Sequence, residues 1–226
     1  VRLVVFTLTF SNWQLHDPMK FACYYLLAIG ASVLKVTVPG MAGRMPFNFV
    51  FVLIGLVQLS LPETLLLGCT TVLIECVWRS RSMTLLDVLF SLSDMAVAIA
   101  CADYVFSGPG TAVIPKPILI FLATTAFFIV NTFPLAAVIA LTERRPVLRV
   151  WKGEHTEAYP FYLLGASVAW AFDMAAKYAG WQAALLTLPF AYLLYRTYRL
   201  YVARVEDEEV HAEQMASLHL RTIEAL

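Results

Sequence analysis

The sequence predicts an all-α protein: a polytopic transmembrane helical bundle of roughly seven to eight spans that ends in a cytoplasmic signalling helix. Three observations lead there. Of the 226 residues, 60% are hydrophobic and only 14% are charged, and the mean hydropathy is +0.73. The apolar residues fall in runs close to the ~20 that a helix needs to cross a bilayer. Short stretches rich in turn residues separate those runs. A water-soluble domain of this length could not hide so much apolar surface, whereas a bilayer serves as its solvent. Membrane lipid is therefore the expected surrounding. A formal net charge of zero leaves no basic excess to neutralise phosphates, so no nucleic-acid partner is expected.

The elements follow in order. Residues 1–13 are apolar but short for a span, and nothing at Val1 resembles a cleavable signal peptide. Asp17 and Pro18 open a helix over 17–36, the Asp as N-cap and the Pro in the first turn. Residues 48–60 and 63–78 form two short helices hinged at Leu61 and Pro62. Further helices are predicted over 85–106, 117–141, 159–178 and 181–198. Between them lie VPGMAGRMP (38–46), SGPG (107–110), ERRP (143–146) and AGW (179–181), all rich in turn residues. In the long connection 142–158, Val147, Leu148, Val150 and Trp151 alternate with Arg149 and Lys152. That pattern fits a short interfacial helix on an anionic leaflet, and it fits an ordinary basic loop equally. After Arg199 the chain turns polar. Residues 1–198 thus form a membrane domain and 199–226 a cytoplasmic linker helix.

Basic residues set the expected orientation. One set of alternating connections holds Lys35, Arg44, Arg79, Arg81, Arg144, Arg145, Arg149, Lys152, Arg196, Arg199 and Arg204; the opposite ends hold Lys20, Lys116 and Lys177. The positive-inside rule makes the first set, and with it the C-terminus, cytoplasmic in a bacterial inner membrane. Trp13, Trp78 and Trp181 mark the interfaces.

An ionisable group near the middle of a spanning helix costs about 2.5–3.5 kcal/mol, so each one needs a reason. Asp87, Ser91 and Asp94 follow i, i+4, i+7 and share one helix face, expected to point into the bundle. Asn131 lies just before Pro134, whose ring frees a carbonyl one turn back. Asp94, Asn131, Asp173 and Asn48 are the candidate ligand-binding residues for a small-molecule or lipid-soluble ligand. Plainer roles fit them too: a packing hydrogen bond for Asp94 or Asn131, an i,i+4 pair of Asp173 with Lys177, and an interface position for Asn48. Glu75 and Arg79 form a similar pair, and Glu63 reads as a first-turn carboxylate favoured by the helix dipole. Cys23, Cys69, Cys76 and Cys101 read as small hydrophobes. No metal or cofactor is implied, and no hydrolytic constellation: His16 and His155 fall in connections, His211 and His219 in the tail. The chain is not expected to be an enzyme.

Two stretches carry a family resemblance. LKVTVPGMAGRMPFNFVFVLIGLVQLSLPETLLLGCTTVLIECVW (34–78) resembles the core of a membrane-associated sensor module that precedes HD-GYP or GGDEF domains in bacterial cyclic di-GMP signalling. MASLHLRTIEAL (215–226) resembles the entry helix of an HD-GYP phosphodiesterase. The resemblance implies a sensory input domain that relays a membrane or extracytoplasmic signal, and it carries over no catalytic residue. Val205, Ala212, Met215 and Leu218 lie on an incomplete heptad stripe, as suits a signalling helix that pairs in a homodimer and switches packing. Two other classes compete. A small-solute transporter, or its substrate-binding subunit, would line a midplane site with Asp94 and Asn131. A structural anchor would need no polar face there.

Overall fold

The computed structural model describes residues 17–33, 48–79 and 84–179. Among these residues there are seven α-helices, two short 3₁₀ turns and no strand. The helices are α1 (Pro18–Val33), α2 (Asn48–Gln58), α3 (Leu61–Arg79), α4 (Leu85–Ser107), α5 (Lys116–Glu143), α6 (Val147–His155) and α7 (Tyr159–Ala179). The expected segments 1–13 and 181–198, the tail helix with Val205, Ala212, Met215 and Leu218, and the Arg79 side chain lie outside the described residues.

Local chemistry accounts for the helix starts. Asp17 accepts the Lys20 amide at 3.3 Å, as an N-cap should. At the α2–α3 junction the structure shifts the expected hinge. Leu61 and Pro62 lie inside the first turn of α3, and the chain turns at Leu59 and Ser60. Proline is tolerated in a first turn because its missing amide has no intrahelical acceptor there. Ser60 is the residue before the helix, and its amide and hydroxyl both donate to Glu63 Oε2, at 2.8 and 2.7 Å. Glu63 is buried, with these two donors on its carboxylate. Thr84 and Asp87 build a full capping box at the start of α4: the Thr84 amide donates to Asp87 Oδ2 at 3.0 Å and the Asp87 amide to Thr84 Oγ1. Asp87 is therefore an exposed capping residue rather than part of an inward polar face with Asp94.

α2 lies at the centre. Every residue from Asn48 to Leu56 is buried, as expected of a helix that is apolar on all sides. It packs on α3 and α7 and also touches α1 and α4. α1 leans on α3, α3 on α4, and α4 on α5 along much of its length, while α5 also holds α6 and α7. α5 and α7 run antiparallel and α2 runs parallel to α7, as their cross-contacts show below.

Two described helices are long and apolar enough to cross a membrane, Leu85–Ser107 and Lys116–Glu143. Their outer faces carry exposed Leu89, Phe90, Val97, Phe121, Ile129 and Phe133. A contiguous apolar surface of that kind suits lipid and not water.

Past Glu143, Arg144 takes the left-handed conformation at φ 54° and the Arg145 amide closes on the Ala140 carbonyl at 3.0 Å. The chain thereby folds back, and of the two readings of 142–158 the helical one holds: α6 lies against α5. Val150 is its buried anchor, and Trp151 donates from Nε1 to Thr132 Oγ1 at 3.0 Å while its ring sits 5.9 Å from Phe128.

Candidate functional site

α7 presents one buried stripe to the bundle: Tyr162, Gly165, Ala166, Ala169 and Asp173. The spacing follows from 3.6 residues per turn, and it puts Tyr162 and Asp173 on the same face about 16 Å apart along the axis. Each of these two residues is the centre of a polar layer.

At the first layer the Tyr162 ring stacks on Phe49 of α2 at 4.4 Å and meets Phe128 of α5 edge-on at 4.9 Å. Such geometries suit the ring quadrupole. Gly165 permits the stack, since a Cβ there would lie 2.7 Å from Phe49 Cε2. Asn131 Nδ2 donates to the Tyr162 hydroxyl at 3.4 Å, and the carboxylates of Asp94 and Glu75 are close enough for their charges to act on that hydroxyl. Asn48 adjoins this layer through Phe49. It is buried, not an interface residue as its place at a helix end suggested, and its Nδ2 reaches Thr71 Oγ1 at 3.5 Å. The Thr71 hydroxyl donates in turn to the Gly68 carbonyl. Asn48 Oδ1 is buried with no hydrogen-bond partner among the described residues.

At the second layer Asp173, 3% exposed, is held by two contacts from other helices and one from its own. Lys116 Nζ of α5 donates to Oδ1 at 2.7 Å, and Gln58 Nε2 of α2 donates to the same oxygen at 3.0 Å. Lys177 Nζ lies 3.4 Å from Oδ2. That last contact is an ion pair without hydrogen-bond geometry, so Oδ2 is buried with electrostatic support only. The two lysines keep their stems against the protein and their ammonium groups half in solvent.

The two layers join the same three helices twice. Phe49, Asn131 and Tyr162 tie α2, α5 and α7 at one level, and Gln58, Lys116 and Asp173 tie them at the other. Of the four residues proposed from sequence, Asn131 bonds the Tyr162 hydroxyl, Asp94 reaches that hydroxyl through its charge alone, and Asn48 is the chain neighbour of the stacked Phe49. Asp173 belongs to the other layer, where its pair with Lys177 is only the weakest of three contacts. Tyr162, Gln58 and Lys116 escaped the sequence reading. The usable signals were the 11-residue spacing of Tyr162 from Asp173 and the assignment of Lys116 and Lys177 to one side.

The chemistry this arrangement supports is positional. The described residues hold no group of His, Cys, Asp and Glu placed to bind a metal ion, and all four cysteines are free thiols. What the site offers is a helix fixed by an ion cluster at one level and by an aromatic and amide contact at another.

The family model MASE9 matches residues 7–166. That span includes Asn48, Glu75, Asp94, Asn131 and Tyr162, so the first layer lies inside the matched region and Asp173 lies beyond it. No curated protein and no solved structure matches the chain.

Proposed function

The chain belongs to the MASE9 family, a family of membrane-associated sensor domains, and on that premise we propose that it is the input domain of a bacterial signal-transduction protein. In this reading it sits in the inner membrane with its C-terminus cytoplasmic, pairs with a second copy, and has no catalysis of its own. It answers a membrane or extracytoplasmic signal, such as a small or lipid-soluble ligand. Residues 199–226 relay the state of the membrane domain to an HD-GYP-type cyclic di-GMP phosphodiesterase.

The observation that carries the reading is the double fastening of α7 to α2 and α5 through Tyr162 and Asp173. A helix is stiff along its axis, so a ligand or lipid change that breaks one layer displaces the other and whatever follows α7 in the chain. A packed element with two discrete arrangements is what a switch requires. The buried, charge-bearing face argues against a plain anchor. The cyclic di-GMP assignment is supported by the likeness of residues 215–226 to an HD-GYP entry helix.

The test is a receptor carrying an HD-GYP domain after residue 226, assayed in membranes for cyclic di-GMP hydrolysis. Couplings of about 1–3 kcal/mol are usual between such sites, so Asp173→Asn should change the rate several-fold. Insertions of two or four residues after Val210 rotate a following helix by part of a turn, and output should depend on that phase. Output that ignores both changes would make the chain a tether. Solute flux in proteoliposomes would replace the sensor reading with a transporter.

A further inference from the structure

The corner between α5 and α6 holds an open cleft of about 350 Å³, lined by Arg145, Arg149, Val150 and Gly153. Its described lining supplies two cationic side chains and no acidic one. Arg144, Arg145, Arg149 and Lys152 are all exposed around it. Glu143 takes a share of Arg145, with Oε2 3.2 Å from Nη1, but both groups stay in solvent. Arg149 and Lys152 make no ion pair among the described residues. Gly153, one turn after Arg149, leaves the cleft open: a Cβ there meets nothing within 4 Å.

Depth is the second observation. α5 has 28 residues, about 42 Å at 1.5 Å per residue, which matches a bilayer of about 40–45 Å with its headgroups included. The cleft begins where α5 ends, at headgroup level. Leu141, in the last turn of α5, and Leu148, next in the chain to Arg149, are exposed, so apolar side chains belong to the same corner as the cationic cleft.

We infer that this cleft binds the phosphate of an anionic phospholipid, with Arg145 and Arg149 holding the headgroup and Leu141 and Leu148 along the acyl chains. Guanidinium forks match phosphate oxygens, and a wall of two arginines outdoes a single point charge. The inference rests on the membrane placement of α5 and not on the output proposed above. An occupant here would press on α6, and through Trp151 and Phe128 on the layer around Tyr162.

The purified chain in phosphatidylcholine bilayers, doped with spin-labelled phosphatidylglycerol, provides the test by electron spin resonance. The association constant relative to spin-labelled phosphatidylcholine should favour phosphatidylglycerol several-fold. Arg149→Gln and Arg145→Gln should each lower that preference by up to about five-fold, the scale of one basic residue at an anionic surface. Gly153→Gln keeps every charge but fills the cleft, and should lower it too; Arg144→Gln, outside the lining, should leave most of it. An unchanged preference in Gly153→Gln, or an equal loss in Arg144→Gln and Arg149→Gln, would reduce the effect to diffuse charge and overturn the site. Displacement of the labelled lipid by inorganic phosphate, but not by chloride at equal ionic strength, would assign the cleft to the free anion instead. Arg149 and Gly153 are both exposed, so if one variant misfolds the other still decides.

Discussion

Lys116 Nζ stands 2.7 Å from Asp173 Oδ1, joining the first turn of α5 to the end of α7 across 57 residues of chain. Asp173 is buried while Lys116 is partly in solvent, so the two ends of this contact answer differently to mutation.

Lys116→Gln should cost about 1–3 kcal/mol, because the buried carboxylate loses its shortest hydrogen bond and cannot reach water. Lys177→Gln should cost less, because its 3.4 Å approach to Oδ2 lacks hydrogen-bond geometry and its ammonium stays half in solvent. Thermal unfolding of the two variants in detergent micelles gives the comparison. Equal losses would mean that Asp173 has no preferred partner.

The Tyr162 ring and its hydroxyl do separable work. Tyr162→Phe keeps the stack on Phe49 and removes only the acceptor for Asn131, a loss of about 1 kcal/mol. Tyr162→Ala also opens a cavity between α2, α5 and α7, and should cost about 3–5 kcal/mol. A phenylalanine variant as unstable as the alanine one would show that the hydroxyl, with its Asn131 bond, dominates this layer.

Three glycines predict a sign change. A Cβ at Gly165 meets Phe49, whose ring is pinned by Tyr162, whereas Gly30 and Gly153 have nothing within 4 Å. Gly165→Ala should therefore destabilise by about 1–3 kcal/mol through overpacking. Gly30→Ala and Gly153→Ala should stabilise by about 0.5–1 kcal/mol, the helix preference of alanine over glycine. Unfolding midpoints that move the same way in all three would contradict the close approach of α7 to α2.

α6 is held to α5 by Val150 packed on Ala136 and Ala140, with Val147 and Trp151 beside them. Trp151→Phe keeps a ring beside Phe128 but loses the 3.0 Å bond to Thr132, worth about 1 kcal/mol. Amide hydrogen exchange over residues 147–155 should accelerate about five-fold, while α4 and α5 stay protected. Unaltered exchange would place the anchor of α6 on Val150 alone.

Much of the local structure was legible in the residues. Asp17 capped its helix as expected, and the segments beginning near Asn48, Leu85, Pro117 and Tyr159 formed within a few residues of their expected bounds. The errors share a cause. Pro62 reads as a hinge in the sequence and lies in a first turn; Asp87 reads as part of an inward face and is a cap. Periodicity cannot make these distinctions, because helix starts are decided by backbone amides seeking acceptors. Asn48 looked peripheral because a helix end usually is, yet it is buried and meets Thr71 of α3.

By itself the sequence determined the solvent and the class: 60% hydrophobic residues in helix-length runs require an apolar surrounding, and sparse intramembrane charge marks where polar contacts must occur. Only the tertiary structure decided which contacts those are. Gln58 meets Asp173 across 115 residues, and Asn131 meets Tyr162 across 31. Periodicity names the face a residue occupies but not the helix that face will meet. That choice depends on which surfaces approach most closely, and here Gly165 sets it by letting the Phe49 ring lie against α7.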